Sequence, residues 1–171
     1  MFDETFQKGE NTVLREAGVH FRKAYELQMA GRLQDAIDEY QCSLALHPTA
    51  EALTFMGWAY SHLGDYAVAI SKCEAAITVD PDFGNPYNDI GAYLISLQRL
   101  EEAIPWLEKA KHARRYEARH YPFFNLGRIF EMQGRWFEAI AEYRGALHLY
   151  PNYQSAKDAV TRLQILIDRR N

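Results

Sequence analysis

A three-residue pattern recurs four times at almost constant spacing, and it restricts the chain to architectures built by stacking similar units. Each copy is an alanine, an aromatic or apolar residue four positions on, and a small residue three further: Ala36/Tyr40/Ser43, Ala69/Cys73/Ala76, Ala103/Leu107/Ala110 and Ala139/Tyr143/Ala146. The alanines lie 33, 34 and 36 residues apart, within the period of roughly 20–50 residues that marks solenoid repeats. The i, i+4, i+7 steps place each set on one helical face. Ahead of each alanine stands a second small residue, Ala24, Gly57, Gly91 or Gly127, with the same separations. Around these small residues sit Leu53, Met56 and Tyr60, then Tyr87, Ile90 and Leu94, then Phe123, Leu126 and Phe130. The pattern predicts a first helix with a bare spot against which a second helix packs closely. Seven residues after each small residue comes Gly31, Gly64, Gln98 or Gly134, and glycine accommodates the positive φ that commonly ends a helix. Pro48, Pro81 and Pro151 follow their alanines by twelve residues, where proline stops the second helix. The third copy has Arg115 there.

These residues resemble the tetratricopeptide repeat family, whose W-x2-L-G-x2-Y, A-x3-F and P pattern is matched by segments such as Leu53-Thr54-Phe55-Met56-Gly57-Trp58-Ala59-Tyr60 and Asn125-Leu126-Gly127-Arg128-Ile129-Phe130. The resemblance implies an all-α, right-handed superhelical solenoid of antiparallel helix hairpins. The repeats fall at residues 17–49, 50–83, 84–119 and 120–153, after a partly mobile extension over 1–16 and before a capping helix over 154–171. The cap is expected from the stripe Ala156, Ala159, Val160, Leu163, Leu166 and Ile167, with Arg169 and Arg170 at the negative end of its dipole. The first repeat is loose, with His20 and Lys23 at positions expected to be apolar. The third has two extra residues and no closing proline, so its second helix is expected to continue through Tyr116. Pro105 is expected close enough to that helix's start to cost little.

Composition narrows the function. With 48% hydrophobic and 25% charged residues over 171 positions, the chain can bury a core as one unit without metal or disulfide support. A net charge of -4 offers no general attraction to phosphate backbones or anionic lipid, so nucleic acid is not expected as a partner. The opening Met-Phe-Asp-Glu-Thr-Phe lacks the basic start of a signal peptide, and no apolar run approaches the roughly 18 residues of a membrane span. A cytoplasmic protein without membrane insertion is expected, with Cys42 and Cys73 as reduced thiols.

No catalytic, metal or cofactor pattern is present. The six histidines form no H-E-x-x-H spacing, and no G-x-S-x-G, P-loop or G-x-G-x-x-G occurs. Glu101 and Glu102 open a helix, where they complement its dipole. The expectation is therefore a binding protein and not an enzyme.

In the family the first helices line the concave surface, and helical periodicity selects the residues that would face it. These include Phe21, Tyr25, Met29, Trp58, His62, Asn88, Ile95, Tyr121, Phe124, Arg128 and Met132. Large apolar groups on a surface expected to be polar point to a partner. The clamp of lysines, arginines and asparagines that holds heat-shock carboxyl termini in some family members is replaced here by Phe21, Tyr25, Phe55, Asn85 and Asp89. The expected partner is another protein, met as an apolar peptide or an amphipathic helix and held by an adaptor or chaperone-like module. Two alternatives stand beside this: a scaffold that forms homo-oligomers, and a regulatory subunit or a chaperone of the secretion type. A basic stretch with Lys111, Arg114, Arg115 and Arg119 is a solvated helix face or a dock for an acidic partner.

Overall fold

The computed structural model describes residues 2–169, with side chains described over 12–169. The described residues form α1 (Phe2–Met29), α2 (Leu33–Leu46), α3 (Ala50–His62), α4 (Tyr66–Val79), α5 (Asn85–Ser96), α6 (Leu100–His112), α7 (His120–Met132), α8 (Trp136–Leu149) and α9 (Gln154–Asp168). They divide into two compact units, residues 1–81 with α1 to α4 and residues 82–171 with α5 to α9. This division suits a repeat protein, in which helices contact only their neighbours and no single core spans the chain.

Both units are built on the small-residue register. In the second, a Cβ placed on Gly91 would lie 2.4 Å from Leu107, and one on Gly127 would lie 2.6 Å from the Tyr143 ring. The apolar member of each alanine set therefore fills the bare spot of the preceding helix. In the α3–α4 hairpin of the first unit that member is Cys73, fully buried, and the smaller side chain lets the helices close further. A Cβ on Gly57 would sit 3.0 Å from the Ala69 carbonyl oxygen and 3.3 Å from Cys73 Sγ. Cys73 thus acts as a small buried hydrophobe, and Cys42 is exposed.

Each first helix ends alike. Gly31, Gly64 and Gly134 have φ of 75°, 86° and 74°, and Gln98 adopts 60° where glycine is absent. The following amide reaches back to the carbonyl five residues earlier in all four cases: Arg32 to Leu27, Asp65 to Tyr60, Arg99 to Leu94 and Arg135 to Phe130, at 2.8–3.0 Å. Thr49 and Asp65 cap α3 and α4 by accepting from the Ala52 and Val68 amides.

Two expectations are corrected. The second helix of the third repeat does not continue to Tyr116 but ends at His112, with Ala113 as its C-cap. The added residues form a loop: Gly84 N–H donates to the Arg115 carbonyl, Arg115 N–H donates to the Asp82 carbonyl, and Tyr116 is buried. A Cβ on Gly84 would be 2.4 Å from Tyr116, so burial of this tyrosine against a bare backbone competes successfully with helix propagation. Pro105 lies six residues into α6, inside the helix, where its ring nitrogen withholds the bond that the Glu101 carbonyl would otherwise accept. The stretch 1–16, expected as an extension, is helical and continuous with the first repeat, since α1 runs from Phe2. The side chains of residues 1–11 and residue Arg170 lie outside the described set.

At the other end α9 buries Ala156, Ala159, Leu163 and Ile167 against Ala139, Ile140, Tyr143 and Ala146 of α8. Leu166, expected in this stripe, is 39% exposed.

Candidate peptide-binding faces

The eleven groove residues divide between the units, five in the first and six in the second. In the first unit Phe21 is half-buried, its ring 5.8 Å from both Tyr40 and Phe55, so it helps join α1 to α3. Tyr25 meets Phe55 edge-on at 5.5 Å yet remains 42% exposed, and Met29, one turn on, is 56% exposed. Trp58 is half-covered by His62, with ring centroids 3.5 Å apart and His62 Nδ1 3.0 Å from the Trp58 carbonyl oxygen. This unit therefore presents an aromatic base from which Tyr25 and Met29 project.

In the second unit the expected residues behave differently from one another. Ile95 is 2% exposed and belongs to the core, so it offers no surface to a partner. Asn88 is also buried, and its amide is already engaged: its oxygen accepts from Asn125 Nδ2 at 3.0 Å, and its nitrogen donates to Asp89 Oδ1 at 3.4 Å. Arg128 Nη1 donates to Asn125 Oδ1 at 3.3 Å, which continues the chain of polar contacts to the surface. Burial pushes the Asp89 carboxyl up to about 7, against the opposing effect of the Asn88 amide.

Beyond this chain opens a cavity of about 520 Å³ lined by Phe124, Arg128, Glu131, Met132, Tyr143, Ser155, Ala159 and Arg162. Arg162 holds the Glu131 carboxylate with both Nη atoms, Nη2 at 3.1 Å, and the Tyr143 hydroxyl donates to it at 2.9 Å. The Arg162 guanidinium holds Glu131 below the usual carboxylate range, whereas burial raises the Tyr143 hydroxyl. Because Glu131 is matched by Arg162, the charge of Arg128 faces a neutral amide. Met132, which lines the cavity, is 47% exposed, and Tyr121 on the same helix is 44% exposed. Phe124 packs on Tyr143 and Tyr153 at 5.3 and 4.9 Å, and Tyr121 meets Tyr153 at 5.9 Å.

The basic stretch does not form one patch. Lys111 is nearly buried, pairs with Glu108 at 3.1 Å and Glu142 at 2.9 Å, and lies 4.3 Å from the centre of the Phe123 ring. Arg119 turns inward and donates to the carbonyls of Lys111, Ala113 and Arg114 at 2.8, 2.6 and 3.3 Å, capping α6. Arg114 is exposed and 3.8 Å from Asp82, and Arg115 stacks over Phe83 at 4.4 Å. A helix end needs its carbonyls satisfied, and loop closure at Tyr116 draws the cations apart.

Sequence reasoning passed over Asn125, Tyr153 and Arg162. Asn125 has a legible signal, a polar amide two residues before a glycine in an otherwise apolar helix. The roles of Tyr153 and Arg162 depend on how α9 docks, which periodicity does not encode. Among the described residues no group of three or more His, Cys, Asp or Glu is arranged to hold a metal, and no helix is long and apolar enough to cross a membrane.

Comparison with known proteins follows the same lines. Tetratricopeptide repeat profiles match residues 50–83 and 120–153, and a second profile of that description matches 85–114. No curated protein sequence matches the chain. Among solved structures, PilF of Pseudomonas aeruginosa superposes with a TM-score of 0.83 at 20% identity, over 95% of this chain and 71% of that one. PilW, described as a widely conserved type IV pilus biogenesis factor, gives 0.78 at 20% identity, over 88% and 69%. MamA gives 0.69 at 20% identity, over 82% and 81%. At these identities the likeness concerns the fold alone. With its small-residue register, helix-ending turns and matched repeats, the chain is a member of the tetratricopeptide repeat family.

Proposed function

We propose that this protein is a non-enzymatic adaptor or chaperone-like module of the cytoplasm that holds an apolar peptide segment or amphipathic helix of a client protein. One observation carries the reading. First helices in both units leave large side chains exposed, Tyr25 and Met29 on α1 and Tyr121 and Met132 on α7, with the two methionines at the same register, where a solvent-facing helix has no need of them. On α7 Met132 lines an open cavity together with Phe124 and the cation of Arg128, an arrangement suited to apolar anchors carrying a nearby carboxylate or backbone oxygen.

Selection of a displayed peptide library on the immobilised protein, followed by calorimetry with the selected peptide, tests this. Tyr121→Ala, Arg128→Ala and Met132→Ala together remove exposed atoms and should leave the helical circular dichroism unchanged. Affinity should fall about a hundredfold, roughly 3 kcal/mol, whereas Asp38→Ala on α2 should leave it unchanged. Undiminished binding by the folded triple variant would remove the α7–α9 face as the site.

A further inference from the structure

The first and fourth repeats run in register at a constant shift of 103 residues, which matches Ala24 to Gly127, Phe21 to Phe124 and Tyr40 to Tyr143. One turn ahead of these positions the two repeats differ. In the fourth, His120 and Tyr121 at the start of α7 meet Tyr150 and Tyr153 beyond α8 in a cluster of rings. His120 lies 4.2, 5.0 and 5.1 Å from Tyr121, Tyr150 and Tyr153, and Tyr153 lies 4.9 Å from Phe124. In the first repeat the matching positions hold Ala17, Gly18, His47 and Ala50, so three of the four rings are missing.

The lost volume is open. Leu14, Ala17, Gly18 and Phe21 line an apolar notch of about 290 Å³. Its buried end is formed by Ala17 and Ser43, 5% and 3% exposed, and the Ser43 hydroxyl is spent on the Ala17 carbonyl at 2.9 Å. A Cβ on Gly18 would meet nothing nearer than Arg22 Nη1 at 3.6 Å, so the helix backbone itself is bare on this side. Leu14, 43% exposed, stands at the mouth, so a side chain can enter while the backbone that carries it stays outside. An apolar cavity of about 150 Å³ already accepts benzene, and this notch is large enough for a phenol ring.

We propose that this notch is an anchor site for the tyrosine side chain of a partner polypeptide. The fourth repeat supplies the template: where the first has Gly18, it places Tyr121 in ring contact with Tyr153 at 5.9 Å. The notch offers such a ring the edge of Phe21, and its border carries Arg22, His47 and Glu51. Those polar groups suit a ring with a hydroxyl at its tip and give nothing to an aliphatic side chain. The site belongs to the first unit and uses no residue of the α7–α9 face, so it holds or fails independently of the client-binding reading.

Amide NMR titration of the full chain tests the proposal, with p-cresol as the side-chain probe and a blocked pentapeptide bearing one tyrosine among glycines as the polypeptide probe. Both should produce saturable shifts at Ala17, Gly18, Phe21, Ser43 and His47. Leucine in place of the peptide's tyrosine should weaken binding about fivefold or more. Gly18→Tyr sets the fourth repeat's own ring into the notch and should weaken both probes at least about tenfold while circular dichroism stays helical. Leu14→Asp, at an exposed position, should weaken them as well, whereas Asp38→Ala on α2 should not. Absence of saturable shifts at these amides, equal binding of the leucine peptide, or full binding by the folded Gly18→Tyr and Leu14→Asp variants would overturn the proposal. So would p-cresol binding without peptide binding, which would make the notch a small-molecule pocket, and so would probe-free shifts that grow with protein concentration, which would assign it to a second copy.

Discussion

Asp89 is placed where a carboxyl is costly to ionise, beside Asn88 and near Tyr116, whose own hydroxyl is raised by burial and by the Asp89 charge. A folded-state value raised to about 7 from 3.8 means that between these limits the native chain keeps a proton that the unfolded chain has released. The contribution of Asp89 to stability should therefore be full below about pH 4, fall as pH rises toward 7 and then level. Asp89→Asn should abolish this slope and raise the melting temperature at pH 8, as read by thermal melts at several pH values. Two glycines give opposite expectations from the same substitution. Alanine relieves glycine's cost in a helix interior by about 1 kcal/mol, and at Gly18 the new Cβ would meet only Arg22 Nη1 at 3.6 Å, so Gly18→Ala should stabilise by up to that amount. At Gly127 the Cβ would fall 2.6 Å from the Tyr143 ring, and overpacking costs about 1–3 kcal/mol. Gly127→Ala should lower the denaturation midpoint despite its better propensity. The glycine itself was legible in the sequence through its period. The side chain that fills the space was legible too, since Leu107 and Tyr143 recur at fixed distance, but the tightness of the contact was not.

Among the elements, α6 shows where sequence reading reaches its limit. Its start and its packed face, Ala103, Leu107 and Ala110, follow the repeat and are buried as the period requires. Its end does not follow from local propensity, because Lys109 to Arg119 contains no glycine or proline. The helix stops because Tyr116 is buried against Gly84 and because Arg119 satisfies the carbonyls at its end. Both are effects between residues up to 32 apart, invisible to periodicity. The expected basic patch failed for the same reason: Arg119 and Lys111 have structural partners that a helical wheel does not show. Charged donors to otherwise unsatisfied carbonyls contribute about 1.5–3 kcal/mol each at most when buried, less when partly exposed. Arg119→Ala should thus destabilise the second unit by about 1–2 kcal/mol. Hydrogen exchange should show amides of residues 110–119 losing protection first, and equal loss across α5 to α9 would contradict a local capping role.

For the whole molecule, stacking is between neighbours within each unit, α2 on α3 in the first and α6 on α7 and α8 on α9 in the second. The α7–α8 hairpin is followed by α9. Ala156, Ala159, Leu163 and Ile167 cover Ala139, Ile140, Tyr143 and Ala146, with Phe124, Phe130, Trp136 and Leu147 packed around them. Arg162 adds its pair with Glu131. Removal of residues 154–171 would expose this face, and a contiguous apolar surface of that extent is unusual on a monomer. Two results are expected: the second unit, residues 82–171, loses hydrogen-exchange protection while α1 to α4 retain theirs, and light scattering shows concentration-dependent association. Restoring the deleted segment as a separate peptide should reverse both, since α9 contributes surface cover and no chain crossing. A truncated chain that stays monomeric, with unchanged protection in α7 and α8, would mean that α9 is dispensable to the stack, and the reading of its stripe as a cap would have to be abandoned. The same deletion would also strip Ser155, Ala159 and Arg162 from the cavity beside Arg128, so peptide selected on the intact protein should no longer bind even where α7 remains helical.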